Sequence, residues 1–521
     1  MSAQSDHSIL QPAPNEPPVV LDQVPWNTLK ESLSLLSCLE GKKELSSSPP
    51  IFSPSRNIVH RATDDQAFAI GSNAIPPRDG RPLESVLEDA RHIFSYRSRT
   101  GHPRFLGFIP SPALPVSWVG DVITSAYNTF AGSAEAASGV FEVERTLVSW
   151  LSTQLGLPSD TAGGHFVSGS SIATLTGVTV ARDHLLNTDM RHRGVAYISD
   201  QAHFSVAKAL RIIGCTSDQI RVIPSDNDCR FSLADLRSTI LQDVNKGLRP
   251  FLVVATCGTT STGAVDPIIK LADIAKDHHM WLHIDAAYGA SVALSSSHRH
   301  WVEGLGRADS ISWDAHKWLF QTYGCGLVLF RNNTLALKSF SGTGEYVRDV
   351  EGLLESRSSM DIVTSSWDYG IELTKPARYM RFWMTLQVLG LDCIDRMISH
   401  GFMLAAKMEQ ELLHRDWEVP YNSLAIVNFR FRPRIQRDML CEEALDKLNN
   451  CISRELESRQ VAAVYTSQIY GKVYLRACTI NPQTTVEDIA FVVRELDLIA
   501  RRLLEAFISA ETGKGGIDPS S

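Results

Sequence analysis

Residues 250–289, PFLVVATCGTTSTGAVDPIIKLADIAKDHHMWLHIDAAYG, contain two short apolar runs separated by a window with helical periodicity. The runs FLVVAT (251–256) and MWLHID (280–285) have the length of buried strands. Between them, IIKLADIAKD (268–277) repeats its apolar residues at the spacing of a helix. A strand, a helix and a strand in that order predict a βαβ unit, whose two strands lie parallel in a sheet covered by helices.

The same alternation extends from about residue 160 to residue 335. Its other apolar runs are HFVSGS (165–170), VAYISD (195–200), DSISWD (309–314) and GCGLVLFRN (324–332). Repeated units of this kind predict an α/β protein with a mostly parallel sheet, in which ligands bind at the carboxyl ends of the strands. After residue 385, the order helix, strands, helix predicts a second, smaller α+β domain.

Composition narrows the classes of function. The chain has 521 residues, and 50 Lys and Arg against 58 Asp and Glu give a net charge of −8. An acidic chain without a basic block is not expected to bind nucleic acid, and no apolar run reaches the ~18 residues of a membrane span. Nine cysteines without a CxxC pair, and an N-terminus without a basic and apolar leader, indicate reduced thiols in a cytoplasmic protein.

Two charged residues follow or end apolar runs. Lys317 stands in SWDAHKWLF (312–320), where partial desolvation would favour the neutral amine that condenses with carbonyls; an ordinary solvated lysine is the alternative. Asp285 ends a very apolar run, where a carboxylate needs a cation such as a protonated ring nitrogen, unless it caps a helix or forms a structural salt bridge. His283 and Asp285 could suggest a metal pair, but no third ligand has convincing spacing, and we expect no metal.

Two other strand ends carry polar residues. Gly169, Ser170 and Ser171 precede a helix, where free N–H groups and hydroxyls suit a phosphate dianion, although a plain serine cap is the alternative. His203 follows VAYISD and could stack on a flat ligand or only cap the next helix. A phosphate site, a carboxylate for a pyridinium nitrogen, a planar side chain and an amine for an aldehyde are together what pyridoxal 5′-phosphate (PLP) requires.

These stretches resemble the group II PLP-dependent amino acid decarboxylases, and most of all their aromatic-L-amino-acid branch. The resemblance runs from about His102 to Arg378 and depends on DQAHFSVAKA (200–209), HIDAAYG (283–289) and DAHKWL (314–319). It implies a type I PLP-dependent, aspartate aminotransferase-like fold, with a seven-stranded sheet in the large domain. The chain then divides into a disordered tail (1–25), a helical segment packing on a dimer partner (26–100), a large PLP-binding domain (101–385), a small α+β domain (386–510) and a C-terminal tail (511–521).

The resemblance also implies roles for individual residues. Lys317 takes the position of the Schiff-base lysine, Asp285 that of the partner of the pyridinium nitrogen, and His203 that of the histidine stacked on the ring. The other residues implied to bind the cofactor are Ser170, Ser171, Thr259, Ala287, Asp314 and His316. The segment HPRFLGFIPSP (102–112) resembles a family segment that would place Phe108, Pro110 and Ser111 at the substrate pocket.

The implied activity is that of a lyase that converts an L-amino acid to its amine and CO₂ through a Lys317 Schiff base and a quinonoid. Phe105, Phe108, Ile109 and Trp118 favour an aromatic or bulky substrate, while Arg104 leaves an acidic one open. The resemblance further implies a homodimer with active sites at the interface, residues 345–370 forming a mobile loop that reaches the partner's site.

Three departures from the family pattern bear on this expectation. Ile172 stands where the family often has Glu, and Asp314 replaces Asn or Thr, which adds a carboxylate near the phosphate. An ungapped alignment puts Ser366 at the position of the loop tyrosine that returns a proton to Cα, with Tyr346 and Tyr369 as nearby alternatives. Without that tyrosine, the family's chemistry becomes oxidative, giving an aldehyde with O₂. A transaminase or carbon–sulfur lyase with Arg476 as carboxylate anchor also remains possible.

Overall fold

The computed structural model describes residues 57–81, 83–109, 112–341, 365–433 and 440–511. Its helices are α1 Asp64–Asn73, α2 Leu83–Ser95, α3 Pro115–Tyr127, α4 Ser138–Gln154, α5 Ser170–Leu185, α6 Phe204–Ile212, α7 Leu233–Asn245, α8 Ile268–Asp277, α9 Thr334–Phe340, α10 Tyr379–Leu413, α11 Glu442–Ser458 and α12 Val486–Glu511. Its strands are β1 Gly163–Val167, β2 Gly194–Ser199, β3 Ile220–Ile223, β4 Arg249–Thr256, β5 Trp281–Asp285, β6 Ser310–Asp314, β7 Gly326–Phe330, β8 Trp417–Ser423, β9 Ile426–Phe431, β10 Tyr465–Ile469 and β11 Lys472–Cys478.

The larger sheet has seven strands in the order β1-β7-β6-β5-β4-β2-β3. Strands β2 to β6 pair parallel with one another, whereas β7 runs antiparallel to both β1 and β6. All residues of β2, β5, β6 and β7 are buried, as expected for strands with helices on both faces. The predicted mostly parallel sheet is therefore confirmed.

The smaller sheet is antiparallel, with the strand order β10-β11-β9-β8. Helices α11 and α12 pack against each other, and the buried face of α11 contributes Leu445, Leu448 and Ile452 to the core beside this sheet. The expected C-terminal α+β arrangement is thus confirmed. The smaller sheet includes two strands, β8 and β10, in which apolar and polar residues do not alternate clearly along the sequence.

Two helices are not predicted by the sequence patterns, namely α3 and α4, which precede the first strand of the large sheet. The helix expected at the start of the C-terminal region is present as α10, which has 35 residues. Gly390 interrupts α10 with φ 71° and ψ 167°, a left-handed φ that glycine adopts without the steric cost of a side chain. Helix α2 falls within the helical segment expected over residues 26–100. Among the helices of the described ranges, none is both long and apolar enough to cross a bilayer.

Candidate active site

A cavity of about 600 Å³ opens where the carboxyl ends of β1, β4, β5 and β6 meet. Ten residues proposed from the sequence line it, namely Phe108, Ser170, Ser171, His203, Thr259, Asp285, Ala287, Asp314, His316 and Lys317. The strand register explains part of this convergence, because Thr256, Asp285 and Ser312 pair side by side across β4, β5 and β6. Pro110 and Ser111, the other two predicted substrate residues, lie outside the described ranges.

Some of the aromatic and basic side chains expected around the substrate line the cavity, and others lie away from it. Ile109 lines the cavity beside Phe108, and Arg476 reaches it from β11. Phe105 is buried behind Phe108, with ring centroids 5.1 Å apart. Trp118 and Arg104 are not among the lining residues, and the Arg104 guanidinium lies 4.9 Å from the centre of the Phe491 ring. Arg104 is therefore placed away from the cavity that the described residues form.

Lys317 follows β6 in a short turn in which its N–H donates to the carbonyl of Asp314. Its Nζ lies 3.6 Å from Asp314 Oδ2, and its side chain is 23% exposed. This lysine is thus partly desolvated at the mouth of the sheet rather than fully solvated. Next to it, Trp318 is buried and stacks on Tyr288, with centroids 4.8 Å apart, which holds the turn in place.

Asp285 is buried at the end of β5, where Oδ1 accepts the Ala287 N–H at 3.2 Å and the Ser312 hydroxyl at 3.4 Å. Within the described part of the chain, no cationic side chain forms an ion pair with it. A structural salt bridge, one alternative from the sequence, is therefore not observed. A buried carboxylate with two neutral donors favours a nearby positive charge, and a protonated ring nitrogen would supply one.

The start of α5 differs in one respect from the expected phosphate site. The Ser170 N–H is not free, because it donates to Asp314 Oδ1 at 2.8 Å. The Ser170 hydroxyl and His316 Nδ1, in contrast, are buried polar atoms for which the structure records no hydrogen-bond partner. Buried polar atoms rarely remain unpaired, so these two atoms fit an anionic group bound at the N-terminus of this helix.

His203 combines the two interpretations that the sequence left open. It is the N-cap of α6, and its Nδ1 accepts the Ser205 N–H at 3.4 Å and contacts the Ser205 hydroxyl at 2.7 Å. It also lines the cavity. Burial lowers the pKa of His203, more than the nearby Asp285 carboxylate raises it. An Nδ1 that accepts the cap hydrogen bond leaves the proton of the neutral ring on Nε2.

Arg476 is a partly buried cation on the wall formed by the small sheet. Its Nη1 donates to the carbonyl of Thr260 at 2.8 Å and its Nη2 to that of Gly107 at 2.6 Å, while Nε has no recorded partner. Burial lowers the pKa of its guanidinium. No carboxylate of the described residues forms an ion pair with it. Its position in the cavity depends on contacts with residues more than 200 positions away, which sequence periodicity does not reveal.

Two tyrosines of the cavity were not singled out from the sequence. Tyr288 lies in the motif HIDAAYG, and its hydroxyl donates to the carbonyl of Leu424 at 2.5 Å, which joins the large sheet to the turn between β8 and β9. Tyr323 presents its ring to His316 edge-on at 5.8 Å and is largely exposed. The motif around Tyr288 was a usable signal, whereas nothing near Tyr323 distinguishes it from a surface residue.

The fold and this site are those of an enzyme that binds PLP at the carboxyl ends of a mostly parallel sheet. Residues 70–432 match the family model described as the pyridoxal-dependent decarboxylase conserved domain, and the chain belongs to that family. It is similar to an aromatic-L-amino-acid decarboxylase of Bacillus atrophaeus, with 37% identity over 434 residues, 83% of this chain and 88% of the relative. A phenylacetaldehyde synthase of a Rosa hybrid cultivar is 28% identical over 427 residues, 79% of this chain and 83% of the relative.

Solved structures give the same result for the fold. The crystal structure of Oryza sativa TDC with PLP and tryptamine superposes with a TM-score of 0.80 and 25% identity, covering 95% of this chain and 99% of that one. The resemblance proposed from the sequence is therefore confirmed at the level of family, fold and enzyme class, and PLP is the cofactor. When bound, PLP condenses with amines and withdraws electrons from the carbon that loses its substituent.

Proposed function

We propose that this protein decarboxylates an L-amino acid with an aromatic or bulky apolar side chain and releases the amine. One observation carries the choice of substrate: apart from Lys317, Arg476 is the one lysine or arginine that lines the described cavity. If Arg476 binds the α-carboxylate, no second cation of this wall remains for an acidic side chain. Phe108 and Ile109 then offer an apolar surface to the rest of the substrate.

A substrate screen tests this function. We expect kcat/KM for phenylalanine, tyrosine or tryptophan to exceed that for glutamate, aspartate or cysteine sulfinate by about a hundred-fold or more, because a pocket without a counterion leaves the acid desolvated. CO₂, amine, aldehyde and peroxide are measured together in each reaction. A preference for any of the acidic substrates would contradict the proposal.

The residues around Lys317 have complementary tasks in this proposal. Lys317 supplies the amine that holds the cofactor, Asp285 keeps a proton on the ring nitrogen, and His203 covers one face of the ring with its neutral imidazole. Ser170, Ser171 and His316 bind the phosphate, and Thr259 and Ala287 line the ring. The two carboxyl-terminal strand ends that carry Asp285 and Lys317 belong to adjacent parallel strands, which supports their acting on one cofactor.

Arg476 orients the substrate by its α-carboxylate. We expect Arg476→Met to raise KM for the preferred amino acid about ten- to a hundred-fold, since a charged hydrogen bond contributes roughly 1.5–3 kcal/mol, and to leave the visible spectrum of the bound cofactor unchanged. Steady-state kinetics and cofactor absorbance check this. Arg104→Met is the control, because the Arg104 guanidinium lies over the Phe491 ring outside the cavity. This variant should keep the KM of the wild-type protein. An unchanged KM in Arg476→Met would contradict the assignment.

The position of Ser366 favours amine over aldehyde as product. Ser366 is buried, its N–H donates to the Gly132 carbonyl at 3.1 Å, and its hydroxyl lies 3.2 Å from the same oxygen. Ser366 is thus held against the Gly132 segment of its own chain, which does not suit a loop residue that moves to deliver a proton to Cα. Tyr369 packs against the core cluster that contains Val167 and Ala173, and it is not among the lining residues of the cavity. Tyr346 is the remaining alternative and lies outside the described ranges, and we propose it as the proton donor.

Replacing Tyr346 therefore has a defined consequence for the product. We expect Tyr346→Phe to release aldehyde, ammonia and hydrogen peroxide in air in place of most of the amine, because Cα then lacks its proton donor and O₂ reacts instead. Tyr369→Phe is the matched control and should continue to form amine. Chromatography of products with a peroxide assay checks both. Equal amine yields from the Tyr346→Phe and wild-type proteins would contradict the role of Tyr346.

The same variant tests the proposed homodimer with shared active sites. Support for a partner comes from α1, which has no buried residue, and from Phe68, Ile75 and Phe94, which are 78%, 73% and 67% exposed. If residues 345–370 reach the partner's site, mixing Tyr346→Phe subunits with Lys317→Ala subunits restores amine formation. In such a mixed dimer, the intact lysine of one subunit meets the intact tyrosine of the other. No restoration after verified subunit exchange would contradict a shared site.

A further inference from the structure

The N-terminus of α5 already carries a carboxylate. Asp314 ends β6, is buried, and directs Oδ1 at the Ser170 N–H, 2.8 Å away. Its position depends on a close approach of the backbone of β7, because a Cβ added at Gly326 would lie 2.5 Å from the Gly169 Cα and 2.7 Å from Asp314 Oδ1. The packing of β7 therefore fixes the Asp314 carboxylate against the start of α5.

The same helix end offers binding groups that Asp314 does not use. The Ser170 hydroxyl is more than nine-tenths buried, has no recorded partner, and borders the cavity together with Ser171. His316 Nδ1 is likewise buried and unpaired. These groups suit the phosphate of the cofactor. The phosphate would then be the second anion at this helix end, because the Asp314 carboxylate already accepts the Ser170 N–H.

The charge of Asp314 is only partly balanced within the site. Its second oxygen, Oδ2, lies 3.6 Å from Lys317 Nζ and 3.6 Å from His316 Nε2. Burial lowers the pKa of His316, which favours its neutral form. Lys317 is the residue that condenses with the cofactor in the proposed function, so its ammonium is not a constant partner. A phosphate dianion bound here therefore meets an incompletely neutralised carboxylate at short range.

We infer that Asp314 is a resident anion that shares the N-terminus of α5 with the phosphate and reduces the selectivity of the site for the phosphorylated cofactor. The inference depends on the phosphate site of the proposed function. Asp314 caps the helix in the cofactor-free protein. When the phosphate is present, Asp314 lowers the affinity of the site for PLP.

The ratio of two dissociation constants measures this effect. Cofactor-free protein is titrated with PLP and with pyridoxal, which has the same aldehyde and ring but no phosphate, and binding is followed by tryptophan fluorescence. Any influence of Asp314 on Lys317 changes both constants and cancels in the ratio. For Asp314→Asn, whose amide oxygen can still accept the Ser170 N–H, we expect the ratio of the pyridoxal to the PLP constant to rise about ten-fold, or roughly 1.4 kcal/mol.

Two further variants make the result unambiguous. Asp200→Asn removes the same charge from an exposed position outside the cavity and should leave the ratio within about two-fold of wild type. Asp314→Ala should raise the ratio as Asp314→Asn does, so the inference does not depend on a single variant folding. An unchanged or lower ratio in both Asp314 variants, with wild type still preferring PLP over pyridoxal, would overturn the inference alone. Equal binding of both compounds by the wild type and by both Asp314 variants would overturn the phosphate site as well.

Discussion

Lys317→Ala is expected to lose the visible absorbance of the lysine-bound cofactor and to reduce turnover by about a thousand-fold or more. In the proposed function the amine of Lys317, which lines the cavity just after β6, is the nucleophile, and removal of a covalent catalytic group has effects of this size or larger. Absorbance after reconstitution and CO₂ release measure the two effects separately.

A conservative replacement provides the control for Lys317. Lys317→Arg keeps a positive charge near Asp314, but a guanidinium remains protonated and does not condense with an aldehyde. It should therefore retain more of the cofactor affinity than Lys317→Ala and equally little activity. Normal turnover in either variant, with wild-type contamination excluded, would contradict the role of Lys317.

Asp285→Asn is expected to reduce kcat by about a hundred-fold or more with a much smaller change in KM. The amide keeps the size of the carboxylate and can still accept the Ala287 N–H, but it carries no charge to hold a proton on the ring nitrogen. The cofactor should still bind to Lys317, so that visible absorbance is retained while CO₂ release falls. This combination distinguishes Asp285 from Lys317.

Asp266→Asn is the matched control for Asp285→Asn. Like Asp285, Asp266 is a buried carboxylate, and it lies near the end of β4. Unlike Asp285, it does not line the cavity, and its two oxygens accept the N–H groups of Phe231 and Thr256. Its burial raises its pKa to about 7. We expect this variant to lose stability and to keep kcat within a few-fold. Equal losses of kcat in the two variants would contradict a specific role for Asp285.

Much of the fold and the main site residues can be predicted from local sequence. The runs that end at Asp285 and Asp314 have the short apolar character of buried parallel strands, and the residues after such strands gather at one edge of the sheet. For this reason the sequence alone places Lys317, Asp285, His203 and Ser170 near one another.

Other features depend on contacts between distant parts of the chain. The bond from the Ser170 N–H to Asp314 joins residues 144 positions apart and requires the close passage of Gly326, which no local period indicates. Arg476 reaches the cavity because β11 lies beside the segment of Gly107, 369 positions earlier. Ser366 could be aligned to a loop by its neighbours in sequence, but the side chain is buried against Gly132, and only the fold shows this.

Reduction of the reconstituted protein with borohydride, followed by proteolysis and mass spectrometry, tests the central claim most directly. Reduction makes the bond between cofactor and lysine permanent, so the modified residue can be identified by fragmentation. The account predicts one phosphopyridoxyl group per chain, on Lys317. Modification of a different lysine in place of Lys317, or no modification of a protein that still releases CO₂ from amino acids, would contradict it.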